Sequence, residues 1–528
     1  MNKIFDQSVF KNTWFYLMPT FILCSYFIYI SYFKPIGDFG NYYYASKFLW
    51  QGNWGLWIYD VATFNLKIFE LGQRDFFLNY TPVPPFSAIF YIPFVGFKVE
   101  MAKVIWNILN LLLLLFAISR LKEKYALPVL FWVLFPILFF TPIRNNIKEG
   151  QSYFLILFLL AEGFIQFQKG NLGIMAILWA LAIHLKISPA FVFLFLLFNK
   201  NFKAMFYLTI VGIVYVFISL PFLTISVWFN YVVSILPRLF NGEVNDTYAL
   251  NYQSMQVLLK TLFVPDILSN KNAWFNQPMI YQKTLLVFKF IIVGLSVLCA
   301  NSKISHHVKF GIWLLCSMQI SGYGNSFSLL LLSLPTVYFL PIIPTFSAKY
   351  FIFLFLLVLT VNIPFYWFSH LFLPLQFPRL FAFISLFIIS IVVAKIRYKW
   401  YYFIFPILVI FIPLKPQNYP QNYLFKQEEA LLIYDFKMYK KHVLINYFDL
   451  KGPSIKLIPL DFITNKATYF EQPLNLNRLF SKNLEACQVN DSITIYLSDL
   501  NRGVGFYTLR TLVMNKESLV SHQVLLDK

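Results

Sequence analysis

Residues 13–33 read TWFYLMPTFILCSYFIYISYF and carry no charged side chain. A transmembrane helix needs roughly 20 predominantly apolar residues, so this run is long enough to cross a bilayer. The segment before it reads MNKIFDQSVFK, and no small-residue cleavage site follows the apolar run. This pattern favours a retained first span over a removed signal peptide.

The composition extends that interpretation to most of the chain. Of 528 residues, 59% are hydrophobic and 12% are charged, and 63 are phenylalanine. A soluble domain carries roughly 25% charged residues, so this chain could not cover itself in water. We therefore predict an all-α polytopic membrane protein. The net charge of +20 lies mostly in short loops between apolar runs, which indicates membrane orientation and contact with membrane lipids rather than nucleic acid.

Counting the apolar runs predicts about thirteen spans. Residues 81–97 are not counted, because their four prolines favour short helices along the outer surface. Residues 171–198 are interpreted as two short helices broken at Ser188 and Pro189, since one long helix would place the basic residues after it outside. The predicted spans are residues 13–33, 103–118, 126–141, 151–167, 171–186, 187–198, 204–225, 284–300, 308–320, 326–341, 348–366, 378–394 and 400–414.

The amino terminus is predicted to lie inside, because the loops then assigned to the cytoplasm are short and basic. Their basic residues are Arg120, Lys122, Lys124, Lys169, Lys200, Lys203, Lys303, Lys349, Arg397 and Lys399. The transmembrane module comprises residues 1–415, with large extracytoplasmic loops at residues 34–102 and 226–283. Residues 416–528 regain charge and contain β-like segments such as SITIYLSDL, so we expect a small, β-rich soluble domain outside the membrane.

The sequence carries no pattern for a metal or nucleotide site. Cys24, Cys299 and Cys316 lie in apolar runs and Cys487 lies in the tail, without a CxxC or Cys–His pairing. Walker, HExxH, Asp-x-Asp and dinucleotide motifs are also missing from the sequence. Transferases that use nucleotide-sugar donors commonly bind the diphosphate of the donor through a metal ion. The single phosphate of a lipid-linked donor needs only cationic groups to neutralise its charge. We therefore expect a protein that works without a metal or cofactor.

Asp38 is the first acidic residue after the first span, within KPIGDFGNYYYASKFLWQG. Tyr42 follows four residues later, on the same face of a helix. Aspartate favours the position that caps a helix, so a cap is one interpretation of Asp38. A catalytic carboxylate is the other, and the two are not exclusive.

A second polar cluster interrupts the predicted outer ends of later spans. The segments are RNNIKEGQ at residues 144–151 and HLKISP at residues 184–189. A charge such as Lys186 at the end of an apolar helix needs a partner or must snorkel to water. The alternative to snorkelling is that Arg144, Lys148 and Lys186 bind an anion together, with phosphate as the obvious candidate.

Other polar residues have a structural interpretation. His184 is interpreted as a packed histidine, and Glu162, toward the inner end of its span, as structural. Asn251, Gln253 and Ser254 open the helical pattern NYQSMQVLLKTLF and are typical of a helix cap.

Several short motifs stand in a recognisable order between about residues 30 and 260. They are DFGNYYYASKFLWQG, NYTPVPPF, WNILNLLLLL, EGQSYFLILFLL, GNLGIMAILWALAIHLKISP and NYQSMQVLLKTL. Together they resemble glycosyltransferase family 87, the polyprenol-phosphate-mannose-dependent α-mannosyltransferases, which have the class C glycosyltransferase fold. The resemblance does not extend to the tail. Asn325, in SGYGNSFSLLLL, stands where family members often carry a histidine.

The resemblance implies that Asp38 is the catalytic base, which deprotonates an acceptor hydroxyl as its oxygen attacks the anomeric carbon. It implies that Lys186, with Arg144, stabilises the departing lipid phosphate. The further substrate-binding candidates are Gln151, Tyr42, Asn251, Tyr80, Lys148, His184, Gln253 and Asn325.

The implied activity is that of an inverting hexosyltransferase in the cell membrane, with an extracytoplasmic active site. Its donor would be a polyprenyl-phosphate sugar, with mannose implied, and its acceptor a glycolipid or glycan. A transporter or flippase of lipid-linked saccharides is an alternative, although the sequence shows no internal repeat and the polar cluster lies at the predicted outer surface. A class C ligase or polymerase with a lipid-diphosphate donor would share the fold and the basic cluster.

Overall fold

The computed structural model describes residues 13–395, except 60–63, 65–66, 69–70, 72–77, 126, 241–247, 266–269, 271–272, 323 and 345–346, together with strands in the tail. The described part up to residue 395 is a bundle of helices, as predicted for an all-α membrane module. The helices are α1 (Thr13–Tyr32), α2 (Phe39–Trp50), α3 (Phe86–Phe90), α4 (Val99–Lys124), α5 (Val129–Leu138), α6 (Phe140–Glu149), α7 (Tyr153–Gln168), α8 (Leu172–Leu185), α9 (Phe191–Phe198), α10 (Phe202–Ser219), α11 (Ile225–Asn230), α12 (Leu236–Phe240), α13 (Met255–Phe263), α14 (Pro278–Ala300), α15 (His306–Ile320), α16 (Ser333–Phe339), α17 (Ala348–Asn362) and α18 (Pro378–Val393).

Shorter turns connect these helices. The 3₁₀ turns are Leu56–Tyr59, Ile92–Phe94, Ser188–Ala190, Ser328–Leu332, Leu340–Ile342, Phe365–Phe368 and Leu373–Gln376, and one π-helical turn is Tyr231–Ile235.

Four helices of the described part, α1, α4, α10 and α14, are individually long and apolar enough to cross a membrane. The pair α5 and α6 is a fifth candidate and bends by 54° between its halves. The shorter apolar helical stretches of the described part, some of which join a helix and its neighbouring turns, are 10–17 residues long. Helix length therefore does not confirm about thirteen spans. The predicted span at residues 400–414 lies outside the described residues.

The bend between α5 and α6 follows from Pro142, which has no N–H to donate to the carbonyl of Leu138. Asn362 at the end of α17 compensates. Its Nδ2 donates to the Leu138 carbonyl oxygen at 2.9 Å, and its Oδ1 accepts from the Thr141 amide at 3.0 Å. A backbone break inside a membrane bundle must be satisfied by neighbouring side chains, and Asn362 does so here.

Both local interpretations used in counting spans agree with the structure. Residues 81–97 contain only the short helix α3 and the turn Ile92–Phe94, and no helix of spanning length. Residues 171–198 form α8 and α9, separated by the turn Ser188–Ala190.

The packing of α7 against α8 depends on Gly163. A side chain at this position would overlap the indole of Trp179 on α8, so the two helices approach closely. Small residues at helix interfaces provide such close packing where the hydrophobic effect between helices is weak. At the far end of α7, Glu162 accepts from Arg120 Nε at 2.9 Å, which agrees with its structural interpretation.

The helices that meet at the other end of the bundle position the candidate site. The end of α1, the start of α4, the end of α6, the start of α7 and the end of α8 lie together there. Lys103 Nζ on α4 donates to the Pro35 carbonyl oxygen at 2.9 Å, and Trp106 Nε1 donates to the Gly150 carbonyl oxygen at 3.1 Å. We call this region the site end.

The tail contains β1 (Leu432–Tyr439), β2 (His442–Asp449), β3 (Gly452–Pro459), β4 (Leu474–Asn475), β5 (Leu484–Val489), β6 (Ser492–Leu500), β7 (Tyr507–Asn515) and β8 (Ser518–Leu525). Their order is β3-β2-β1-β6-β5-β4, with β7 paired to β6 and β8. Neighbouring strands are antiparallel except β1 and β6, which pair in parallel. That the tail is a separate soluble domain outside the membrane stays a prediction.

Candidate active site

Asp38 stands in the turn between α1 and α2, where Gly37 adopts a positive φ of 64°. It occupies the N-cap position of α2, but its side chain makes no capping hydrogen bond. Its Oδ2 instead accepts a hydrogen bond from Nε2 of Gln151, across the turn between α6 and α7. The carboxylate is therefore directed into the site end and does not serve as the helix cap that its position favours.

Gln151 connects three of the predicted site residues. Its Nε2 donates to Asp38, and its Oε1 accepts from Lys186 Nζ and from the Tyr42 hydroxyl, each at 3.1 Å. Gln151 is 4% exposed, so water cannot easily replace these partners. Both ends of the carboxamide are engaged, which fixes its orientation and holds Asp38 and Lys186 on either side of one amide group.

Lys186 follows α8 in an extended conformation, with φ −146° and ψ 136°. Its ammonium lies 5.2 Å from the ring centroid of Tyr42 and 5.5 Å from that of Tyr153. Aromatic faces attract cations, most strongly where water is excluded. The structure thus gives Lys186 partners inside the protein, in contrast to the snorkelling alternative.

A layer of aromatic residues that includes Tyr42 packs beside Gln151 and Lys186. The ring of Tyr42 stacks on that of Tyr91 with centroids 4.7 Å apart, and Tyr91 in turn contacts Trp106 at 4.7 Å. All three side chains are buried. The layer lowers the local dielectric and so strengthens the electrostatic interactions between Asp38 and its neighbours.

Glu149 is a charged neighbour of Asp38 that sequence analysis missed. It lies directly before Gly150, and a methyl group on Gly37 would overlap its Oε2. Glu149 also forms an ion pair with Lys148, with Nζ and Oε1 3.0 Å apart. The local signal in the sequence is the glycine in EGQ, which is typical of a residue that ends a helix in a left-handed turn.

The pKa values of Asp38 and Lys186 are both shifted toward neutral pH. Burial and the negative charge of Glu149 together raise the pKa of Asp38 to about 6, against the opposing effects of Lys186, Gln151 and Lys148. Burial lowers the pKa of Lys186 to about 8, although Asp38 opposes that shift. At neutral pH the site therefore holds a carboxylate and an ammonium ion. A modest fall in pH protonates the carboxylate, and a modest rise deprotonates the ammonium ion.

The close approach of the turns at Gly37 and Glu149 gives a first test. A Gly37→Ala variant should lose at least about tenfold in activity, because the methyl group displaces Asp38, the base that the family resemblance implies, and small displacements of catalytic groups are costly. Gly52→Ala is the matched control, since Gly52 has a similar φ of 68° but nothing within 4 Å of the added methyl group. Equal activity of the two variants would contradict the role of this contact.

Tyr80 and His184 are buried but belong to the surrounding packing. The Tyr80 hydroxyl donates to the Pro84 carbonyl oxygen at 3.1 Å. His184 Nδ1 lies 2.8 Å from the Ala180 carbonyl oxygen, and its ring packs on Phe86, as expected for a packed histidine.

The remaining basic candidates lie on the exposed side of α6. Arg144 and Lys148 are both exposed, with Arg144 Nε donating to Asn145 Oδ1 at 3.2 Å. The positive charge of Lys148 is felt at Asp38, where it lowers the pKa of the carboxyl group. The structure shows no contact that brings Arg144 to Lys186 among the described residues.

The last candidates lie at and just before the start of α13. Asn251 is exposed, whereas Gln253 is 3% exposed and donates to the Gln376 carbonyl oxygen at 3.0 Å. Ser254 caps α13 by accepting from the Val257 amide at 3.3 Å, as its cap interpretation predicts.

Asn325 belongs to a loop that lies between the start of α13 and the residues around Asp38. The backbone carbonyl of Asn325 accepts from Ser328 Oγ at 2.7 Å. In the same loop, Phe327 lies 5.6 Å from Tyr153 between ring centroids. The loop also contacts α6, where Asn145 Nδ2 donates to Ser326 Oγ at 2.6 Å.

The fold and the site define a polytopic membrane protein with a buried acid–base group at one end of its helix bundle. Residues 80–318 match the sequence model of glycosyltransferase family 87. This match supports the assignment of the chain to that family, as the ordered motifs predict, and the family implies a membrane glycosyltransferase. The matched range contains Gln151 and Lys186, whereas Asp38 precedes it. No curated protein and no solved structure matches the chain.

Proposed function

We propose that this protein transfers a hexose, with mannose implied by the family resemblance, from a polyprenyl-phosphate donor to a hydroxyl of a glycolipid or glycan. The proposal rests on one observation above all. Gln151 holds a carboxylate and an ammonium ion on opposite sides of its side chain. A base and a cation in one water-poor site are the two groups that this transfer requires.

In the proposed reaction, the acceptor oxygen forms a bond to the anomeric carbon while the bond from that carbon to the phosphate oxygen breaks. Asp38 takes the proton of the acceptor hydroxyl. The lipid phosphate leaves with the bonding electron pair, and its additional negative charge is stabilised by Lys186. A single displacement inverts the configuration at the anomeric carbon.

We expect the reaction to need no metal ion and no cofactor. A monophosphate leaving group develops charge that one or two cationic side chains can neutralise, and Lys186 lies at the site. The sequence also lacks the Asp-x-Asp pair that commonly holds a metal on a diphosphate. Full transfer activity in the presence of a strong chelator is the expected result.

The site end is proposed to face the extracytoplasmic side of the membrane. The support comes from short basic loops at the opposite end of the bundle, which the positive-inside rule assigns to the cytoplasm. Reporter fusions at Lys98 and at Lys169 test this orientation. If a reporter that works only in the cytoplasm is active when fused at Lys98, the extracytoplasmic assignment is overturned.

The activity itself is tested with purified full-length protein and a panel of lipid-phosphate sugars and hydroxyl acceptors. We expect transfer from polyprenyl-phosphate mannose, and inverted configuration in the product as determined by NMR. Transfer from lipid-diphosphate sugars alone would favour the ligase or polymerase alternative, and transport without transfer would favour a flippase.

The pH dependence of kcat/KM should be bell-shaped. Asp38 must be deprotonated to act as a base, so activity should rise as the pH passes its pKa of about 6. Lys186 must be protonated, so activity should fall above its pKa of about 8. Glu149→Gln should move the acidic limb to lower pH, because Glu149 raises the pKa of Asp38. An acidic limb that does not move would show that another group controls it.

A further inference from the structure

Arg379, in the first turn of α18, is a buried cation that the proposed reaction does not use. Its side chain is 3% exposed. Nη2 donates to the Ile363 carbonyl oxygen at 3.0 Å, and the guanidinium lies 5.6 Å from the ring centroid of Phe365. Nε and Nη1 have no hydrogen-bond partner among the described residues, and none of the ion pairs there involves Arg379.

A buried charge without a counter-charge strongly destabilises the protein that contains it. Ile363 accepts from Nη2 and Phe365 packs near the guanidinium, whereas the N–H groups of Nε and Nη1 stay open. The oxygen atoms of a phosphate or carboxylate accept charge-assisted hydrogen bonds from such donors. The open donors therefore indicate an anionic ligand.

Two buried glutamine side chains contact the backbone on either side of Arg379, one just before α18 and one within it. Gln253 Nε2 donates to the Gln376 carbonyl oxygen, three residues before Arg379, and Gln319 Nε2 donates to the Phe383 carbonyl oxygen, four residues after it. Both distances are 3.0 Å. The Oε1 atoms of Gln253 and Gln319 have no partner within the described part of the chain. A ligand with hydroxyl groups beside its anionic group would satisfy both kinds of open atom.

The position of this turn connects it with the candidate active site. Gln253 packs against Gly324, whose loop continues to Phe327 and its ring contact with Tyr153. Tyr153 is one of the two aromatic rings that face Lys186. The Arg379 turn and the Asp38 group therefore border the same loop from two sides.

We propose that Arg379 anchors a second anion site, which binds the phosphate of a lipid headgroup with Gln253 and Gln319 accepting from its hydroxyl groups. The proposal rests on the proposed function only for the source of the phosphate, which is the lipid-linked donor or a phosphate-bearing acceptor lipid. The anion cluster predicted from the sequence comprised Arg144, Lys148 and Lys186, and the structure leaves Arg144 and Lys148 exposed.

Binding is measured with the full-length protein in maltoside detergent, without any sugar transfer. The probes are a short-chain polyprenyl monophosphate, phosphatidylinositol and inorganic phosphate. Arg379→Met should weaken binding of at least one lipid probe by roughly tenfold to a hundredfold, as expected when charged hydrogen bonds are lost. Arg379→Lys should bind with intermediate affinity, because a lysine keeps the charge but lacks the planar set of N–H donors. Lys98→Met, an exposed cation at the same end, is the matched control and should bind normally.

The thermal midpoint of the ligand-free protein separates a ligand anchor from a structural residue. Arg379→Met should not lower it, because the variant removes an unpaired buried charge. It should, however, lose the rise in midpoint that the ligand causes in the wild type. If Arg379→Met does not fold, Arg379→Lys decides, since weaker binding at an unchanged midpoint supports the site.

The three probes also identify the source of the phosphate. An Arg379-dependent loss for polyprenyl phosphate alone assigns the site to the donor, and a loss for phosphatidylinositol alone assigns it to a phosphate-bearing lipid other than the donor. A loss for inorganic phosphate as well shows that the phosphate group suffices. Binding that Arg379 variants leave unchanged, or that only Arg144→Met weakens, overturns the proposal. These outcomes do not depend on transfer, so glycosyl transfer can fail while the anion site stands.

Discussion

Asp38→Asn should reduce sugar transfer by about a hundredfold to ten-thousandfold, which is the contribution typical of a general base. The substitution keeps the size of the side chain but removes its ability to accept the hydroxyl proton. The effect should fall on kcat, because in the proposed reaction the proton is transferred as the acceptor oxygen attacks. The measurement is the initial rate of transfer by purified enzyme at saturating donor and acceptor.

Glu100→Gln is the matched control for this variant. Glu100 is an exposed acidic residue in the first turn of α4, at the same end of the bundle, and should tolerate the same change with normal activity. Thermal unfolding of both variants checks that the fold is kept. Full activity of Asp38→Asn with every donor that the wild type uses would show that the catalytic assignment is wrong.

The residues that sequence analysis could find at the site are those that break an apolar pattern. Asp38, Gln151 and Lys186 each stand at the end of an apolar run, where a polar residue needs a reason. Counting spans places all three at one end of the bundle, and the structure joins them through the carboxamide of Gln151. The pattern therefore predicted where these residues lie but not which of them bind one another.

The residues that it missed have ordinary local patterns. Glu149 reads as one more charge in a polar loop, and its approach to Asp38 depends on the left-handed turn at Gly150 and on the fold of α1 onto α6. Arg379 follows a proline at the start of an apolar run, which is typical of an arginine at the membrane surface. Its burial depends on the packing of the segment from Ile363 to Gln376, which spacing along the chain does not reveal.

The span count shows a different limit. Apolar runs predict that a segment enters the membrane, but the length of each helix depends on where the backbone breaks. The break between α5 and α6 needs Asn362 from a helix more than 200 residues away. Pro142 causes this break and the long-range hydrogen bonds of Asn362 stabilise it, so the apolar composition of the run alone could not give the helix lengths there.

Lys186→Met should reduce kcat by about a hundredfold to a thousandfold, as expected when one stabilising group is removed from a developing negative charge. In the proposed reaction the phosphate gains charge as the bond to the sugar breaks, so Lys186 should interact more strongly with the transition state than with the bound donor. KM for the donor should therefore change less than kcat. Lys98→Met serves again as the exposed control and should remain active.

The pH profile distinguishes this direct role from an effect through Gln151. Lys186 lowers the pKa of Asp38, so its removal should move the acidic limb to higher pH, and the alkaline limb near its own pKa of about 8 should disappear. Lys186→Arg keeps the charge and should restore part of kcat together with the position of the acidic limb. An alkaline limb that persists in Lys186→Met would assign that ionisation to another group. Loss of activity with an unchanged acidic limb would then contradict the coupling of Lys186 to Asp38, on which the proposed transfer depends.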